Sequence, residues 1–193
     1  MRIFNLYRTL EITTCGQFDD FADIHVFMIK AQKDTIPEKD KTIEWIPSKK
    51  HHEYYVGDFF EVHVGAVVPH RDRNKGLRAS YVHAKALPPW EILGKIGENR
   101  RFSGTLFEPP FVLVRRTSRP GEKRAIATIV TGKRKVAVEN HLIVLIPKLK
   151  TIDQCTKLLK VLKSHQTDRW LDKRIRCRHL TVGAVKDVPW WRV

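Results

Sequence analysis

Between residues 111 and 147 the chain reads FVLVRRTSRPGEKRAIATIVTGKRKVAVENHLIVLIP, four short apolar runs parted by turn-forming or basic clusters. The runs occupy 111–114, 125–130, 136–138 and 142–146. They are rich in Val and Ile, whose branched side chains suit a pleated surface better than a helix. Ser-Arg-Pro-Gly, Thr-Gly-Lys-Arg-Lys and Glu-Asn-His stand between them, and such clusters turn the chain. The stretch therefore predicts a strand meander. Eight basic residues (Arg115, Arg116, Arg119, Lys123, Arg124, Lys133, Arg134 and Lys135) face one acid, Glu122, between positions 115 and 135. A sheet with an apolar side and basic turns is a surface suited to a polyanion.

The rest of the chain fits around that sheet. At 193 residues it is long enough to bury a core as one domain, or as a domain with an appendage. Its formal net charge of +15 speaks about partners rather than fold. Nucleic acid comes first, then an anionic membrane surface or an acidic protein. The three cysteines, Cys15, Cys155 and Cys177, are far apart and have no zinc spacing, as expected of reduced thiols in a cytosolic protein. The first residues lack a signal-peptide pattern, and no apolar run reaches the length of a membrane span. The expectation is a cytoplasmic protein with no membrane partner.

Along the chain, Ile24 opens the best strand of the first third, and the charged, Pro-punctuated residues 30–53 read as a linker. Residues 54–68 return to strand character, with Gly57 and Gly65 as turn or bulge markers. The loop PHRDRNKGLR follows, carrying His70, Arg71, Arg73, Lys75 and Arg78. Residues 79–86 form a short strand ended by Leu87-Pro88-Pro89-Trp90, and a helical turn is expected over 91–97. Thr151-Ile152-Asp153-Gln154 has the form of a capping box. It predicts a helix over 152–164 with Ile152, Cys155, Leu158, Leu159 and Leu162 on one face. A second helix is expected from Thr167, ending in a third basic group with Arg174, Arg176 and Arg178, and the last stretch reads as a short strand with an aromatic tail. The fold class is α+β: a twisted, mainly antiparallel sheet with a few helices packed on it.

Catalytic patterns are missing. The ten glycines never occur as Gly-x-Gly, and there is no phosphate-binding loop. Gly94-Lys95-Ile96-Gly97 has the form of an RNA-binding loop, but the Pro-Pro-Trp before it disrupts the helix that loop requires. Leu87-Pro88-Pro89-Trp90 and Glu108-Pro109-Pro110-Phe111 have the outline of the loop that holds a flipped adenine. Leu87 has no polar side chain, however, and Glu108 is one methylene too long, so both read as rigid turns. No lysine has an acid two positions before it, as a restriction-type nuclease site needs. His51, His52, Asn140 and His141 complete no nucleophile, base and orienter set. No catalytic, cofactor or metal-binding residue is assigned.

Residues 110–148, with CTKLLKVLKS, DRWLDKRIRCRHLT and PWW after them, resemble the C-terminal target-recognition region of bacterial N6-adenine DNA methyltransferases from restriction-modification systems. VGDFFEVHVGAVVPHRD resembles the entry into that region, and is similar to the start of a recognition domain in Type I specificity subunits. Residues 15–27 look like the last strand of a preceding catalytic domain. The resemblance implies sequence-specific binding of double-stranded DNA. The family's cofactor glycines and Asn-Pro-Pro-aromatic motif would lie upstream and are not present. The chain then resembles the recognition half of an adenine-specific methyltransferase: a fragment or a separate subunit, not an enzyme on its own. S-adenosylmethionine is expected in a catalytic partner or in a missing N-terminal domain. Residues 1–53 become the tail of that domain, or a docking segment plus linker, and 54–193 the recognition domain. The expected DNA contacts are His70, Arg71, Arg73, Lys75, Arg78, Arg115, Arg116, Arg119, Lys123, Lys133, Arg134, Lys135, Arg174, Arg176 and Arg178. A methyltransferase or nuclease component with an unrecognised site, and a protein-docking subunit, are the alternatives.

Overall fold

The computed structural model describes residues 7–17, 25–33, 52–175 and 177–191. The chain divides into two compact units, Met1–Ser48 and Lys49–Val193. In the first unit β1 (Tyr7–Gln17) pairs antiparallel with β2 (His25–Lys33). The strand expected after Asp23 is β2, which runs on to Lys33 and so takes the first four residues of the expected linker; Ile24 and residues 34–51 lie outside the described residues.

Among its described residues the second unit is α+β, with two sheets and four helices. A turn of helix, α1 (Val56–Phe59), leads into β3 (Phe60–Val64). Then come β4 (Leu77–Val82), a 3-10 turn (Ala84–Ala86), β5 (Ile92–Leu93), β6 (Asn99–Phe102), β7 (Phe111–Arg115), β8 (Ala127–Val130), β9 (Val136–Val138) and β10 (Leu142–Pro147). Three helices close the chain: α2 (Ile152–Lys163), α3 (His165–Arg174) and α4 (Val182–Lys186). Five strands join in the order β3-β10-β7-β8-β5, and three in the order β6-β4-β9. Pairing is antiparallel except for β5 with β8 and β4 with β9.

The four apolar runs of 111–147 are all strands, but they do not form one meander. β10 turns back onto β7, while β9 leaves the five-stranded sheet and pairs with β4 in the other. The burial explains why. On one face of the large sheet Val112, Val114, Ala127, Ile129, Ile143 and Leu145 pack with Cys155, Leu158, Val161 and Leu162 of α2 and Leu171 of α3. On the other face Phe111, Leu113, Val130, Leu142 and Val144 meet Val82, Val136 and Val138 of the small sheet. A strand buried on both faces reads as an unbroken apolar run rather than an alternation. The second face needs a cover, and β9 with β4 supplies it.

Local chemistry fixes the ends. Thr151 caps α2 by accepting from the Gln154 amide at 3.2 Å, as its sequence predicts. The Gln154 side chain does not return to the cap; it donates to the Phe59 carbonyl and accepts from Leu149 N–H, tying α2 to the end of α1. Ile152 turns to solvent and Val161 takes its place on the buried face. Four further expectations change. The helix after α2 starts at His165, because Ser164 caps it through Thr167 N–H. Residues 182–186 are helix rather than strand, capped by Thr181. Residues 56–59 are helix, where the Asp58 carboxylate accepts from Tyr55 N–H at 2.7 Å. The turn expected over 91–97 is instead the short strand β5, which takes the free edge of β8.

Candidate nucleic-acid interface

Successive turns of an antiparallel sheet fall at opposite ends of their shared strand, and this separates the two basic turns of 115–135. Residues 116–126 precede β8 and residues 131–135 follow it. The four residues of β8 hold the turns roughly 10 Å apart.

The end after β8 gathers cations from three chain segments. β4 and β9 run parallel with Ser80 opposite Val136, so Lys133, Arg134 and Lys135 enter β9 beside the start of β4, where Leu77 and Arg78 lie. β6 runs the other way and finishes there, with Arg101 opposite Arg78 and Phe102 opposite Leu77. The loop from β3 to β4 brings His70, Arg71, Arg73 and Lys75, all exposed. Arg78, Arg101, Lys133, Arg134 and Lys135 are exposed too. Arg78 and Arg101 are cross-strand neighbours, an arrangement that costs stability between like charges. Among the described residues no acid forms an ion pair with either. A repulsive pair left facing solvent is relieved by an anion bound between its members.

The loop is held rather than loose. The Asp72 carboxylate accepts from Val68 N–H at 2.7 Å, and this hydrogen bond keeps its pKa below the usual carboxylate value. Asn74 accepts from Arg101 N–H at 2.7 Å. Arg100 donates to the Asp72 carbonyl and lies 5.6 Å from the Tyr81 ring centroid. Gly76 has φ +104°, and a Cβ there would stand 2.5 Å from the Phe102 carbonyl oxygen, so only glycine closes the loop onto β6. The acids at this end are both engaged: Asp72 inside the loop, and Glu108 with Lys135 at 2.9 Å, a contact that lowers the Glu108 pKa.

The opposite end uses its cations internally. Arg115 donates to the Leu87 carbonyl, and Thr128 donates to that of Pro88 at 2.6 Å. The Leu87 and Pro88 carbonyls of the Leu-Pro-Pro-Trp corner are therefore spent on the fold. Arg116 bonds the Leu180 carbonyl. Lys123 holds the Asp168 carboxylate at 2.7 Å and the Lys163 carbonyl at 3.0 Å. Arg124 is fully buried. It donates to the carbonyls of Ser118, Ile175 and Cys177 and lies 3.0 Å from Asp172. Arg174 pairs with Asp187 at 3.0 Å and covers the Trp170 ring. Arg178 is half-buried, with its carbonyl bonded to Ser118 N–H. Arg119 is exposed at this end, and Arg176 lies outside the described residues.

The expected contacts thus fall into two sets. His70, Arg71, Arg73, Lys75, Arg78, Lys133, Arg134 and Lys135 come together; Arg115, Arg116, Arg119, Lys123, Arg174 and Arg178 stand at the other end of the large sheet or on the helices behind it. Sequence reasoning missed Arg100 and Arg101. Their signal was an Asn-Arg-Arg-Phe run between two glycines, legible only once β6 is known to end beside β4. Among the described residues no group of three or more His, Cys, Asp or Glu is placed to hold a metal ion, and no helix is long and apolar enough to cross a membrane. In comparisons with known proteins, no family model and no curated protein matches the chain.

Proposed function

We propose that this chain binds double-stranded DNA through the basic end of its three-stranded sheet, as the specificity part of an adenine-specific DNA methyltransferase of a restriction-modification system. The observation that carries the reading is the convergence of cations from three separate segments on one end, with Arg78 and Arg101 opposed across β4 and β6. Arginine forks suit guanine edges in the major groove, and the flanking lysines suit phosphates. The held loop supports the reading because pre-organised cations lose less freedom on binding. The methyltransferase part rests on the resemblance of residues 111–191 to recognition regions. Chemistry and S-adenosylmethionine then belong to a catalytic domain or subunit, with residues 1–53 as the side that meets it, in the bacterial cytoplasm.

Fluorescence anisotropy of a labelled duplex, titrated over a range of salt, tests this. Log affinity should fall linearly with log salt, by about 0.9 per phosphate neutralised. Changing Arg78, Arg101 and Arg134 to Ala should lower the slope by about 1 for each arginine that meets a phosphate. Weak, salt-insensitive binding, or a triple variant with both affinity and slope unchanged, would overturn the proposal.

A further inference from the structure

Leu77 is 72% exposed, a level matched among the described large apolar residues only by Leu149. It begins β4, between Gly76 and Arg78, opposite Phe102. Side chains alternate along a strand, so Leu77 shares a face with Ala79 and Tyr81, and by antiparallel pairing with Phe102 and Arg100. Ala79, Phe102 and Ala137 of that face are covered by Val67, Ala66 and Leu106, and the cover stops short of Leu77. Its position is fixed on three sides: Gly76 is pressed against the Phe102 carbonyl, Asn74 holds Arg101 N–H, and Arg100 holds the loop through Asp72. Arg78 and Arg101 alternate onto the opposite face, so Leu77 stands at the strand end beside the cations of the preceding loop rather than between the paired arginines, and burying its bare side chain against an apolar partner is favourable.

We infer that Leu77 is a specificity residue of the DNA surface: it meets the edge of a base pair in the major groove and reads the 5-methyl group of a thymine. The inference rests on the DNA-binding reading above and names what one part of that surface recognises. In the major groove the thymine methyl is the apolar feature that separates T·A from the other pairs, and aliphatic side chains read it by contact. The surrounding cations bring the duplex to the surface but carry no information themselves when they meet phosphate. A rigidly placed leucine among them supplies information without charge.

The test starts from the duplex that the protein selects out of a random pool. Each thymine of that duplex is replaced singly by deoxyuridine, which removes one methyl and leaves pairing intact. For the native protein, one replacement should weaken binding about fourfold, the worth of one buried methyl group. In Leu77→Ala the same replacement should have no effect, while the salt slope stays that of the native protein. Leu149→Ala, equally exposed but on the corner between β10 and α2, should behave as native. If the deoxyuridine effect persists in Leu77→Ala, or if no thymine responds in the native protein, the inference falls with the DNA-binding reading intact. If the native protein shows no salt-dependent duplex binding, that reading fails first and takes the inference with it.

Discussion

At the scale of single residues, Arg124 separates structure from function among the basic side chains. It sits in the same basic stretch as Arg134, yet its guanidinium is enclosed by three carbonyls and Asp172. Burial works against its charged form and lowers its pKa, and the nearby Asp172 opposes that shift. Removing one member of a buried charged pair leaves the other uncompensated. Arg124→Ala should therefore lose about 3–5 kcal/mol in urea unfolding, and should leave duplex affinity unchanged where the protein stays folded. Nothing in the local sequence distinguishes Arg124 from its neighbours. Apart from the nearby Ser118 carbonyl, its partners come from residues 172–177, some fifty positions away.

At the scale of elements, the loop joining β3 to β4 depends on one carboxylate. Asp72 has a depressed pKa because it accepts the Val68 N–H. A depressed carboxylate contributes stability that is fully present above its unfolded pKa, about 3.9, and is lost as pH falls through the lower folded value. The loop should hold its order at neutral pH and loosen only in acid. Hydrogen exchange at Val68 and Arg101 reads this directly. Asp72→Ala should speed exchange at both amides at neutral pH and weaken duplex binding, with no matching loss at α2. Unaltered exchange would show that Asn74 and Arg100 hold the loop alone. The elements themselves were largely legible in the sequence. The runs of 111–147 gave four strands, and Thr151 announced α2. Short elements were less so: residues 182–186 look like strand by composition, but the Thr181 cap and the burial of Ala184 and Val185 make them helix.

At the scale of the whole molecule, charge is sorted by position rather than spread. Charge reversal at Arg119 and at Arg134 changes the net charge equally, but the two lie at opposite ends of β8. At physiological salt the screening length is about 8 Å, so a charge one strand-length away acts weakly. Arg134→Glu should reduce duplex affinity by about tenfold or more, and Arg119→Glu by less than about twofold, in parallel anisotropy titrations at 0.15 M salt. Equal losses would mean that bulk charge, not a located surface, drives binding.

The sequence by itself determined the fold class, the strands of 111–147 and the excess of cations, because apolar period, turn residues and charge are local properties. It also marked the loop of 70–78 as exposed and basic. Which cations face outward together was decided only by tertiary structure. β9 crosses to the second sheet to cover the apolar face of the first, and in doing so it carries Lys133, Arg134 and Lys135 to the strand that starts at Leu77. The same packing draws Lys123, Arg124 and Arg174 inward to the carboxylates of α3 and of the residue after α4. The requirement to bury both faces of one sheet thus divides the basic side chains between an outward-facing cluster and an internal lattice.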